Sequence, residues 1–321
     1  MKIEKLSNDF TPRHNGIFFG IDTERATPSD ILVEVIDMAT NEVVATQQLR
    51  SIISAEVNIA PYVKLLAESS PSLSLHTAFK EIPTASYAIR VGELLSEPVR
   101  VSVNRTSLYS PSLITTSSRN RHIAYGERDE LLIAAMPQGV LTANILSDRG
   151  ETLTIEATVT RGIAALVLST EDFSAETNSL DVELLYNGVA FDKLHYTLLA
   201  PRRGAVRLAW ISSKGSVEYY TFPVVAKREL KSEKKSIDSY SGRRVVRSVS
   251  ESILSLFSRY EPRITIEALA EIVASPKVWI VGKEEYQAVE VLSSEVERNL
   301  FGEPDLVALS IAEWRREESV L

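Results

Sequence analysis

Residues 207–222 read Arg-Leu-Ala-Trp-Ile-Ser-Ser-Lys-Gly-Ser-Val-Glu-Tyr-Tyr-Thr-Phe. Leu208, Trp210, Val217, Tyr219 and Tyr220 suit a pleated, half-buried surface, and Ser213-Lys214-Gly215 between them supplies a turn. The stretch therefore predicts a β-hairpin. Downstream comes a charge-rich strand or loop at 227–235, then strand text at 244–249 and 252–258, expected to pair with each other. Residues 265–274 place Ile266, Leu269, Ala270 and Val273 at the spacing of an amphipathic helix, with Thr265 as cap and Pro276 as stop. Strands at 278–281, 288–292 and 306–311 complete the region. The expectation for 201–321 is a β-sandwich carrying one flanking helix.

Upstream, the same period of two recurs in short runs. Residues 128–200 hold strand text at 140–146, 152–159, 164–168, 180–186 and 194–199, with Asn187-Gly188 marking a hairpin turn. Residues 28–103 hold Ile31 to Ile36, 43–49, 57–59, 73–79, 87–91 and 99–103, interrupted by one or two helical turns near 61–67. Short strands at this spacing predict immunoglobulin-like sandwiches. Residues 104–127 lose the periodicity and read as a linker. Residues 1–27 read as a polar N-terminal arm with one apolar patch, Ile17, Phe18 and Phe19. The predicted fold is mainly β: two tandem Ig-like β-sandwiches, then a β-sandwich domain with one helix.

The chain has 321 residues and no cysteine, which excludes disulfides, thiolate metal sites and cysteine nucleophiles. No apolar run is long enough for a spanning helix, so no membrane partner is expected. The N-terminus lacks the apolar core of a secretory signal, which predicts synthesis in the cytoplasm. The net charge of −8 is uneven: residues 1–200 carry 16 Lys/Arg against 25 Asp/Glu, and 201–321 carry 19 against 18. Coating of nucleic acid needs a more concentrated cationic surface. DNA contact is expected only if the chain lines a channel. Arg202, Arg203, Arg207, Arg243, Arg244 and Arg247 form the dense cationic group, read as a solvated sheet edge or as a surface meeting an acidic neighbour.

Catalytic patterns are missing. His14, His76, His122 and His195 are scattered with no metal-ligand spacing, and no nucleotide, nucleophile or metalloprotease motif occurs. Acidic neighbours such as Glu171-Asp172 and Glu284-Glu285 read as solvated turns. No cofactor and no enzymatic activity are expected. Trp210, Tyr219, Tyr220, Phe222, Trp279 and Tyr286 read as core and inter-strand packing, with a sugar-stacking platform as the sharper alternative.

The Trp210-Ile211-x-x-x-Gly215 hairpin feeding Tyr219-Tyr220-Thr221-Phe222, with the later Ser275-Pro276-x-Val278-Trp279, resembles a structural-protein family of tailed phages and prophages of Bacteroidetes. The resemblance covers 200–321 well and the earlier chain loosely. It implies a non-enzymatic virion building block of the tail, tail tip, baseplate or connector, assembled in the host cytoplasm. Its partners would be itself and other virion proteins, in rings or stacks. The candidate assembly contacts are Ile17, Phe18, Phe19, Arg243, Arg244 and Arg247. Other readings are a carbohydrate-binding cell-surface β-sandwich protein and a glycan-degrading tail enzyme.

Overall fold

The computed structural model describes residues 1–9, 11–12, 16–63, 74, 76–81, 85–102, 110–135, 138–159, 163–240, 242–283, 285–293 and 306–313. In its first third the strands are β1 (Lys2–Lys5), β2 (Thr11–Pro12), β3 (Phe18–Asp22), β4 (Ser29–Asp37), β5 (Glu42–Ile52), β6 (Ser54–Asn58), β7 (Ala78–Glu81), β8 (Ala85–Val91), β9 (Leu94–Leu95) and β10 (Val99–Ser102). One sheet runs β1-β3-β6 and the other β2-β10-β8-β4-β5, with β9 added to β8. The two enclose a core built on Ile17, Phe19, Ile21, Val33, Val35, Val57, Tyr87 and Ile89. β2 lies parallel to β10 and the other pairings are antiparallel. In immunoglobulin terms β1, β3 and β6 take the places of strands A, B and E, while β4, β5, β8 and β10 take C, C′, F and G.

The expected arm is thus part of the first sandwich. Ile17, Phe19 and Ile21 alternate into the core and are almost fully buried, and β3 is hydrogen-bonded on both sides, by β1 and by β6. Polar neighbours around one apolar patch made 1–27 read as an appendage. The alternation of Ile17, Phe19 and Ile21, a buried face in period two, was the signal that outweighs them.

The second sandwich is made from β11 (Ser112–Ile114), β12 (Asn120–Ala124), β13 (Arg128–Ala134), β14 (Val140–Ser147), β15 (Thr152–Thr158), β16 (Ile163–Ser169), β17 (Ser179–Tyr186) and β18 (Val189–Leu199). Its sheets run β11-β13-β16-β7 and β12-β18-β17-β14-β15. The span 104–127 therefore carries two strands, β11 and β12, where a linker was expected. Their runs are short and set among polar residues, so the buried Leu113 and Ile123 give no sustained alternation, and β12 is held by parallel pairing to β18 as well as by Ile123 in the core. The β17–β18 turn is the expected one: Asn187 and Gly188 sit at φ 49° and 78°, the two positive values a tight hairpin needs.

β7 belongs to the first third of the chain, yet it pairs antiparallel with β16 of the second sandwich, Phe79 opposite Leu166. It fills the place that strand D occupies in an immunoglobulin sheet, beside strand E. The connection between β6 and β8 of the first sandwich thus leaves that sandwich, completes the next one and returns. Phe79 packs against the second core, built on Leu131, Ile133, Leu141, Ile145, Leu166, Val182 and Tyr196. Just before β7, Asp172 fixes the chain: its Oδ2 accepts from the Thr77 amide at 2.6 Å and its Oδ1 lies 3.0 Å from His76 Nδ1.

The last third holds β19 (Val206–Ile211), β20 (Val217–Phe222), β21 (Val224–Ser239), β22 (Gly242–Phe257), α1 (Arg263–Ala274), β23 (Val278–Val281), β24 (Tyr286–Val291) and β25 (Ala308–Glu313). The expected sandwich with a helix takes the form of one antiparallel sheet, β20-β19-β23-β24-β25-β22-β21, closed over α1. Leu208, Trp210, Phe222, Leu254, Leu256, Leu309 and Ile311 meet Ile266, Leu269 and Ile272 of the helix. The helix starts two residues earlier than predicted, after Pro262, so Thr265 lies inside it and does not cap it. Its buried face runs through Ile266, Ala268, Leu269 and Ile272, while Ala270 and Val273 are only half-buried. The larger Ile272 takes the deepest position, which rotates the face away from the predicted stripe.

β20 lies against β12 and β13, so the second sandwich and the C-terminal sheet share a joint. Within it Arg121 donates to Asp129 (2.8 Å), Thr115 (2.7 Å) and Glu218 (3.3 Å), and Tyr196 donates to Asp129 (2.8 Å). Arg207 donates to Glu127 (3.0 Å), Thr221 (2.9 Å) and the Arg128 carbonyl (2.6 Å).

Candidate assembly surface

The strands β21 and β22 are sixteen residues each, far longer than their neighbours. β22 pairs with β25 only from Ser252 to Phe257. Beyond that point, Lys231–Ser239 and Gly242–Glu251 are hydrogen-bonded to each other and to no other described strand. At about 3.3 Å per residue this two-stranded ribbon projects roughly 30 Å from the sheet. The predicted pairing of 244–249 with 252–258 does not form. No Gly, Pro or Asn lies between those runs, so the chain has no cheap way to turn there and continues as one strand. The charged run 227–235 is its partner, and the chain reverses between Ser239 and Gly242, the latter at φ 109°.

The ribbon carries six Lys/Arg against three Asp/Glu over 231–251, in a chain whose other residues are strongly acidic. Arg243, Arg244 and Arg247 all fall on it, opposite Asp238, Ile237 and Lys235 in the register. Their side chains lie outside the described residues. Among those described, Tyr240 at the tip is fully exposed and Leu230 near the base is 68% exposed. Sequence reasoning passed over both. Leu230 sits alone among charges, and Tyr240 falls in a turn, where an aromatic carries no packing signal.

The apolar patch near the N-terminus is not part of any exposed surface. Ile17 and Phe19 are fully buried and Phe18 is half-buried, because β3 is the middle strand of its sheet. The structure does not bring this patch together with the arginines.

Five of the six aromatics suggested as a sugar platform are packed inside, and Tyr286 is half-buried beside Tyr219 and Trp279. Trp210, Phe222 and Tyr220 belong to the core over α1, with the Tyr220 and Phe222 rings edge-on at 5.0 Å. Tyr219 and Trp279 are buried on the opposite face of the sheet. Burial raises the Tyr219 phenol well above its ordinary value, and nearby Glu130 adds to this. Tyr220 is raised by burial and by Glu261, to which it donates at 2.8 Å.

Among the described residues, no three His, Asp or Glu side chains gather as metal ligands. His76 and His195 each face one aspartate, Asp172 and Asp181, and His122 lies 3.7 Å from Glu261. No described helix is long and apolar enough to cross a membrane.

No protein-family model and no curated protein matches the chain. Solved structures similar to it include a tetra-tandem repeat from the extending region of a large adhesion protein, at 12% identity, TM-score 0.24, covering 80% of this chain and 70% of that one. The chicken interferon gamma receptor alpha chain is similar at 8% identity and TM-score 0.20, covering 62% and 99%. The titin I-band fragment I67–I69 follows at 12% identity and TM-score 0.20, covering 79% and 92%. At these scores the likenesses carry no argument about role. The assignment of the two sandwiches as immunoglobulin-like rests on their strand order.

Proposed function

We propose that this chain is a non-enzymatic structural component of a tailed-phage virion, of the tail, tail tip, baseplate or connector, working by docking and self-association. The observation that carries the reading is the ribbon formed by Lys231–Ser239 and Gly242–Glu251. A two-stranded ribbon in water is at best marginally stable, and the outer edges of this one have no strand partner among the described residues. Such an element is completed by a neighbour, through strand addition at its edge or side-chain docking on its faces. Its positive charge suits the acidic sandwiches of another copy. The resemblance of 200–321 to a phage structural family points the same way. The sandwiches then act as a stalk that carries the ribbon-bearing sheet. The carbohydrate-binding reading keeps little of its aromatic platform, since five of those six rings are interior and Tyr286 is half-buried.

The test is to replace 231–251 with a short Gly-containing turn and to compare self-association by analytical ultracentrifugation. The intact chain should form oligomers that weaken with added salt, and the shortened chain should stay folded and monomeric. Equal association of the two, or a monomeric intact chain that hydrolyses a glycan, would overturn the proposal.

A further inference from the structure

At the joint between the second sandwich and the C-terminal sheet lies a cleft of about 660 Å³, within the usual range of small-molecule sites. The guanidinium groups of its floor are largely committed already, although the buried Arg207 Nε has no hydrogen-bond partner among the described residues. Arg207 is committed to Glu127, Thr221 and the Arg128 carbonyl, while Arg128 donates to the carbonyls of Ser74 (2.8 Å) and Lys283 (2.7 Å). The rim is different. Arg202 comes from the connector between β18 and β19, Arg259 from the segment after β22, and Lys283 from the β23–β24 turn. None of the three has a hydrogen-bonding or ion-pair partner for its side chain among the described residues, and the acid sharing the rim is Glu171. The Lys283 turn is tightly shaped: Gly282 donates to the Glu285 carbonyl at 2.8 Å, and a Cβ on Gly282 would lie 2.9 Å from that same oxygen.

Three cations with no side-chain partner among the described residues, brought to one concavity by three separate elements, repel one another while it is empty. A cleft with protein walls also focuses their field. We infer that the cleft binds a phosphate group, either free phosphate or a phosphate monoester. A planar carboxylate presents two oxygens and satisfies one guanidinium fork. A tetrahedral phosphate dianion presents an oxygen to each of three cations approaching from different sides. Because its ligands come from the connector and from two segments of the C-terminal sheet, a bound phosphate would also hold the connector that leaves the second sandwich against that sheet. The inference is independent of the ribbon and of the virion reading.

The experiment is isothermal titration calorimetry of the full chain with inorganic phosphate and, separately, with glycerol phosphate, at ionic strength held constant with chloride. Saturable binding of at least one, at one site per chain, is expected. Binding of both places recognition in the group itself, and binding of the ester alone adds a requirement for its organic part. Arg259→Gln and Lys283→Gln should each weaken binding at least tenfold, whereas Arg243→Gln on the ribbon should leave it unchanged. Arg259 supports the fold through its backbone amide, which donates to Tyr220 at 3.0 Å, so losing its side chain should not unfold the sheet. If that variant does unfold, Lys283→Gln and Arg202→Gln decide. No saturable binding beyond matched chloride, or binding undiminished in the folded variants, would overturn the inference.

Discussion

Arg121 shows how single residues hold this molecule together. Its guanidinium is buried between Asp129 and Glu218, with Tyr196 hydroxyl and Thr115 completing the set. Burial opposes its charge, but Asp129, Tyr196 and Glu218 outweigh it and raise its pKa. Removing one partner of such a cluster strands the others in low dielectric. Arg121→Met should therefore cost about 3–5 kcal/mol in chemical denaturation, far more than loss of an exposed pair. Asp172 offers a pH-dependent counterpart. Burial raises its carboxyl, yet hydrogen bonds from Thr77 and His76 dominate and hold it below the ordinary carboxylate value. Its folded pKa thus lies below the unfolded value of about 4. The stabilisation is complete above the unfolded value and is lost as pH falls through the folded one. Hydrogen exchange at the amides of 78–81 should rise below about pH 4, and Asp172→Asn should abolish this pH dependence.

The elements divide by how they reveal themselves. The hairpin β19–β20, the Asn187-Gly188 turn and the helix were legible because each combines a period with turn or stop chemistry. The helix face was misplaced because Ala270 and Ile272 lie on nearly opposite sides of the helix, and the larger side chain is the one that turns inward. Leu269 lies in both the predicted and the observed face and is 1% exposed. Leu269→Ala should destabilise the C-terminal sheet by roughly 2–5 kcal/mol, read from its urea midpoint. Little change would place α1 outside the core. β11 and β12 were illegible for the opposite reason: in Ser-Leu-Ile and Asn-Arg-His-Ile-Ala nothing alternates for long, and partners elsewhere in the chain fix them. The ribbon was hidden by its charges, since Lys-Ser-Glu-Lys-Lys reads as solvated loop unless its partner strand is known. The candidate arginines were visible as a cluster, but their place on a projecting ribbon was not.

At the scale of the whole molecule, the N-terminal residues and β7 matter most. Deleting 1–22 removes β1, β2 and β3, and with them Ile17, Phe19 and Ile21 from the first core. The remaining strands of that sandwich should lose cooperative unfolding in a thermal melt, while the C-terminal sheet keeps its own transition. A fragment beginning at residue 110 lacks β7 and exposes the edge of β16. It should melt lower than one beginning at residue 74, and a difference too small to measure would show that the donated strand adds nothing. Because β7 leaves the first sandwich and returns, the chain crosses that junction three times: toward β7, back to β8, and onward from β10 to β11. A single crossing would let two bodies swivel like beads on a string. Three crossings, one of them zipped along β16, make the junction resist twisting, and a pull on the two ends would load the β7–β16 hydrogen bonds in shear. The two sandwiches should then transmit a mechanical load as one stiff rod.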